Sequence, residues 1–195
     1  MEQAILSQIS KARQASGAMF FSIFGCAWLI GWSQKMYGIK PLIMLLLAAG
    51  GAALCAVSYW QFRRNRAALA SESDLESIKR KRRIFRIVNA VQWISIFIVG
   101  YGLFKFGFSE WIIPSVVLII GFHFIFLAAA FRAHQYYFTG LAMIALVVLY
   151  PILSDMGPSD PIVYLGTGLI LWMSAVNALV SKAKIGKLEE NLKEE

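Results

Sequence analysis

Six apolar stretches divide the chain, at about 17–33, 41–62, 84–106, 111–131, 136–153 and 161–181. A helix rises about 1.5 Å per residue, so roughly 20 apolar residues cross the roughly 30 Å of bilayer hydrocarbon. In lipid every backbone polar group must find its partner inside the protein, and a run of this length does so as an α-helix. Charge content agrees: 15% of the 195 residues are charged and 58% are hydrophobic, where a soluble domain has about 25% charged residues. A disordered chain, an ordinary soluble enzyme and a nucleic-acid module with one basic face are thereby excluded. The expected fold is an all-α integral membrane protein, one membrane domain over 1–195 with six transmembrane helices.

Pro41, Pro114 and Pro161 fall in the first turn of the second, fourth and sixth stretches, where a missing N–H costs little. Connections 33–40, 107–110 and 154–160 are short, so the six helices are expected as three helical hairpins. Gly50-Gly51, Gly121, and Gly166 with Gly168 follow those prolines at unequal spacings. Small residues at hairpin contacts account for this as readily as an ancestral repeat does. In Ala48-Ala49-Gly50-Gly51-Ala52-Ala53, packing within the bundle outweighs a homodimer face, which stays open as an alternative.

Orientation follows from the basic residues. Lys35, Lys40 and Lys105 stand on one side, leaving the other 16 of the 19 Lys and Arg residues on the opposite side. The positive-inside rule makes the richer side cytoplasmic, an N-in/C-in topology. Trp32, Tyr37, Tyr101, Trp111 and Tyr150 mark one interface, and Tyr59, Trp60, Tyr136 and Tyr137 the other. The first stretch is read as retained, because no A-x-A-like cleavage site follows its long apolar run. Residues 4–12 are expected as a short amphipathic interfacial helix.

The basic cytoplasmic loop, 63–83, runs basic, acidic, then basic. Ser73 and Glu76 have capping-box spacing, so the third helix should begin outside the bilayer. Lys79, Arg80, Lys81, Arg82 and Arg83 then reach the headgroup layer. They read first as topology determinants and second as contacts to anionic lipids of the cytoplasmic face. No aromatic residues interleave that cluster, which argues against nucleic acid. The cytoplasmic tail, 182–195, is expected to be a frayed amphipathic end.

No Asp or Glu lies deep in any stretch, which disfavours a transporter coupled through a midplane carboxylate. No nucleophile–base set, hydrolase elbow or phosphate loop is present, so no catalytic residue is assigned and an enzyme is disfavoured. Two histidines about 16 Å apart along one helix cannot share a metal or haem iron, so no metal or cofactor is expected. Cys26 and Cys55 read as packing residues. His123 is the one deep ionisable group. It is expected to be buried, uncharged, and hydrogen-bonded to a side chain of the third or sixth stretch. A polar side chain facing lipid is costly, so Asn89, Gln92, Ser174 and Asn177 should point inward. With His123, Trp93 and Trp172 they form a candidate ligand pocket open to the cytoplasmic half; interhelical hydrogen-bonded packing is the competing reading.

The stretch from Gly121-Phe-His-Phe through Tyr136-Tyr137-Phe-Thr-Gly140 resembles small bacterial multi-span membrane proteins of no assigned activity. The resemblance covers about a tenth of the chain. Where those proteins carry a proline, this chain has Ile125-Phe126-Leu127. It implies a bacterial inner-membrane location and a role for His123 and the Tyr136-Tyr137 pair. Two functions are therefore expected: a small transporter or ligand-binding membrane protein, which would dimerise to transport, or a non-catalytic accessory or scaffold protein acting through its basic loop and C-terminal helix.

Overall fold

A computed structural model describes residues 2–71, 75–131 and 133–181. Six α-helices account for nearly all of them: α1 (Glu2–Tyr37), α2 (Pro41–Asn65), α3 (Leu75–Lys105), α4 (Ile112–Phe131), α5 (His134–Leu153) and α6 (Ile162–Val180). Each contains a segment long and apolar enough to cross a membrane. There is no strand among the described residues. The prolines sit as expected: Pro41 opens α2, Pro114 lies in the first turn of α4, and Pro161 precedes α6. Gly38 and Gly107 take φ of 69° and 81° just past the ends of α1 and α3, the left-handed geometry that lets a helix stop within one residue.

Two local expectations change. Residues 4–12 are not a separate interfacial helix but the first turns of α1, which runs 36 residues without a break. That is about 54 Å, well beyond the hydrocarbon thickness. The extra turns are used in packing, because Ile9, Ala12 and Ala15 are all buried. Much of the expected loop 63–83 is also helical: α2 runs to Asn65, a 3-10 turn covers Arg66–Ser71, and α3 begins at Leu75. Ser73 and the tail 182–195 lie outside the described residues.

Across the bundle the helices follow the order α2, α1, α6, α5, α4, α3, each packed on the next. Three glycine contacts explain that order. A Cβ added to Gly168 would stand 3.0 Å from the Gly25 carbonyl oxygen, so α6 meets α1 backbone to backbone. Gly140 and Gly121 do the same for α5 and α4, and Gly51 admits the Cys26 side chain between α2 and α1. In lipid, where burial of apolar surface no longer favours association, such close approach is what holds helices together. The core lies where α1, α4, α5 and α6 meet, around Phe21, Phe124, Met143, Val147 and Leu171. α2 and α3 form the two flanks, and none of the described side chains of α3 is buried.

Candidate functional site

The seven residues expected to form one pocket are distributed over three interfaces. His123 is buried on the α3-facing side of α4. Its imidazole hydrogen-bonds to the Val88 backbone of α3, while Nδ1 is buried without a partner. A helical carbonyl has a second lone pair beyond its i+4 bond, so Val88 can accept the ring N–H without breaking α3. The partner is thus main chain, not the side-chain amide expected. Asn89 and Gln92 are half-buried on α3, and Trp93 is exposed, tilted against Phe97 at 6.4 Å. Among the described residues no hydrogen bond joins Asn89 or Gln92 to another side chain.

Trp172 turns away from His123. It wedges over Gly25 of α1 and Gly50 of α2, and its indole N–H donates to the Ser22 carbonyl at 3.2 Å. Either glycine with a side chain would collide with the ring. This tryptophan therefore locks α6 onto the α1/α2 pair.

Ser174 and Asn177 come together elsewhere. They line a groove of about 340 Å³ between α1, α5 and α6, with Phe21, Gln135, Phe138, Thr139 and Met173. Two hydroxyls form its polar element: Thr139 Oγ1 and Ser174 Oγ share a hydrogen bond of 2.7 Å, and Thr139 also donates toward the Gln135 carbonyl at 3.2 Å. Both residues are buried. Asn177 is exposed at the rim and accepts from Ser181 at 3.3 Å. The groove lies at the start of α5 and the end of α6, the basic end of the bundle. Each hydroxyl keeps acceptor capacity beyond the shared proton, and Phe21, Phe138 and Met173 give apolar walls. The arrangement can bind a hydrogen-bonding head on an apolar body; it contains no nucleophile–base pair.

Sequence reasoning missed Thr139 and Gln135. The rule used for Asn89 and Ser174, that a polar side chain inside a span faces protein, selects Thr139 equally well. Of the cluster expected to touch headgroups, Lys79, Arg80, Arg82 and Arg83 are exposed on the first turns of α3, and Lys81 belongs to the same helix. No group of three or more His, Cys, Asp or Glu residues close enough to hold a metal occurs among the described residues. Cys26 and Cys55 are both free and half-buried.

The six apolar helices and their glycine-mediated contacts define the class: a helical protein with the dimensions of a multi-pass membrane protein. Compared with family models, curated proteins and solved structures, the chain matches none.

Proposed function

We propose that the protein binds a small amphiphilic molecule within the membrane, in the groove between α1, α5 and α6, and presents it to the cytoplasmic leaflet. One observation carries this reading: a buried hydroxyl pair, Thr139 with Ser174, set among Phe21, Phe138 and Met173 in a groove of about 340 Å³. That volume falls within the range of small-molecule sites, about 300–1,000 Å³, and apolar walls with a few placed polar groups are their usual lining. The ligand has an alcohol, amide or similar head that donates a hydrogen bond to the two hydroxyls, whose own protons are already used, and an aliphatic or aromatic body. His123 belongs to the α3–α4 contact in this reading and Trp172 to the α1–α2–α6 contact, while Asn89, Gln92 and Trp93 on α3 stand apart from the groove.

The topology that goes with it is three hairpins, α1/α2, α3/α4 and α5/α6, with both termini cytoplasmic in a bacterial inner membrane. Lys79, Arg80, Lys81, Arg82 and Arg83 then meet anionic headgroups, and transport, as opposed to binding, would need a homodimer. Labelling of Ser71→Cys and Ser159→Cys in intact cells tests the orientation. Only the second should react with an impermeant maleimide, and labelling of the first from outside refutes it.

The ligand reading is tested with an aliphatic alcohol carrying a diazirine, photolysed in nanodiscs that hold the purified protein. Labelled peptides should map to 135–139 and 173–177, and Ser174→Leu, which fills the groove, should abolish the labelling. Uniform labelling of all lipid-facing helices, unchanged in Ser174→Leu, would favour a substrate-free accessory protein.

A further inference from the structure

We infer that a second pocket, between the first turns of α1 and the last turns of α2, is a site for an anionic phospholipid headgroup, a phosphodiester that also carries hydroxyls. The pocket holds about 290 Å³ and is lined by Gln8, Lys11, Trp60, Gln61, Arg64 and Asn65. It is separate from the groove at α5 and α6 and from the basic turns of α3, and does not depend on what either binds.

Three features select the ligand. Lys11 and Arg64 place two cations on one cavity, and among the described residues neither is paired with a carboxylate. The Arg64 guanidinium lies 5.5 Å from the centroid of the Trp60 ring. Stacking of this kind fixes the plane of the guanidinium while its edge N–H groups stay available for two parallel bonds to a phosphate. The third feature is an orphaned acceptor. Gln61 uses its Nε2–H on the Leu179 carbonyl of α6 at 3.4 Å, which leaves Oε1 buried with no partner. A buried acceptor without a donor is costly, and a phosphate cannot supply one, but a headgroup hydroxyl can. An ammonium would also donate, yet Lys11 and Arg64, which line the same pocket, repel it.

The apolar surroundings point to a lipid source for that phosphate. Trp60 is 62% exposed, and Val57 and Tyr59 beside it are 53% and 52% exposed. They form an open apolar surface along which acyl chains can lie, with the indole at headgroup level. A phosphoglycerol lipid satisfies all of these groups at once: phosphate at Lys11 and Arg64, hydroxyl at Gln61, chains along α2.

Native mass spectrometry of the full chain in a neutral detergent tests the assignment, with phosphatidylglycerol, phosphatidylcholine and phosphatidic acid of identical acyl chains. Phosphatidylglycerol should be retained at one per protein and at least tenfold more tightly than phosphatidylcholine, about 1.4 kcal/mol. Lys11→Gln with Arg64→Gln should erase that margin, and Lys11→Gln alone should reduce it. Lys35→Gln with Lys40→Gln, at the other end of the helices, should leave it intact. Gln61→Leu should keep the attraction for phosphate but remove the preference for phosphatidylglycerol over phosphatidic acid. Millimolar glycerol phosphate should not displace the lipid; displacement would reassign the site to a soluble phosphate ester. Equal retention of phosphatidylglycerol and phosphatidylcholine, or full retention by the double variant, overturns the proposal.

Discussion

Gly140→Ala adds one methyl group where α4 and α5 are closest. The new Cβ would stand 2.6 Å from the Gly121 carbonyl oxygen and 2.8 Å from Ile125 Cγ1. Ordinary contact begins at 3.4 Å, so the first of these is 0.8 Å too short. Ile125 can change rotamer, but a carbonyl oxygen moves only with its helix, so α4 and α5 must separate by most of that 0.8 Å. A radial gap of 0.5–1 Å forfeits about a quarter to a half of each dispersion contact across the interface. Overpacking of this kind costs about 1–3 kcal/mol, and alanine's better helix propensity returns up to about 1 kcal/mol. The net expectation is a loss of up to about 3 kcal/mol, with about 1.5 kcal/mol at its centre. Gly121→Ala should be milder, because its nearest obstacle is the Ile144 side chain at 2.9 Å and the Gly140 oxygen stands at 3.1 Å. Gly100→Ala on α3 meets nothing within 4 Å, so it should be neutral or stabilising by up to about 1 kcal/mol. Unfolding titrated with SDS in mixed micelles, followed by circular dichroism, orders the three variants. If Gly140→Ala is as stable as Gly100→Ala, glycine-mediated backbone contact is not what holds α4 to α5.

Three further substitutions probe other contacts in the same assay. Trp172→Phe keeps most of the ring volume but loses the bond to the Ser22 carbonyl, and should cost about 0.6 kcal/mol, the mean for a hydrogen bond in a membrane protein. Trp172→Ala should cost about 3–5 kcal/mol through the void left beside Gly25 and Gly50, and equal effects of the two variants would contradict a wedge role. Asp160 accepts the Ile162 N–H at 2.8 Å and hydrogen-bonds Ser154. Asp160→Ala should therefore cost about 1 kcal/mol by uncapping α6, whereas Asp160→Asn should cost less, and the reverse order refutes the cap. His123→Ala should cost about 1–3 kcal/mol by emptying a buried site and losing the bond to Val88, and His123→Gln, which can still donate to that carbonyl, should recover at least half. A glutamine variant no better than the alanine one would show that the hydrogen bond is not what holds the side chain there.

Much of the architecture is written locally. A helix in lipid satisfies its own backbone, so a run such as 111–131 needs no distant residue to declare itself a span. Pro41, Pro114 and Pro161 mark helix starts for an equally local reason, since the first turn needs no N–H from them. The start of α1 and the end of α2 are harder to read, whereas the spacing of Ser73 and Glu76 puts the start of α3 outside the bilayer, where it begins at Leu75. Polar residues 63–83 look like a loop by hydropathy, yet helical hydrogen bonding continues past the apolar boundary wherever packing or capping supports it. Buried Ile9, Ala12 and Ala15 show such packing for α1.

The site depended on which helices became neighbours, and no local pattern encodes that. Of the four polar residues expected to point inward, Ser174 is buried, Asn89 and Gln92 are half-buried and Asn177 is exposed. The rule behind that expectation does not say which protein surface a side chain faces. In the fold, α4 and α5 stand between α3 and α6, so Asn89 and Gln92 on α3 are separated from Ser174, which bonds Thr139, and Asn177, which lines the same groove. That order was decided by pairs far apart in sequence, Gly25 with Gly168 and Gly121 with Gly140, where both backbones lack a side chain at the same height. A glycine in one helix is visible in the sequence; the partner glycine at matching depth is selected only when the helices pack. Composition and hydropathy thus determined six apolar helices, and the short-range packing forces that act between helices in lipid decided their full lengths and their neighbours.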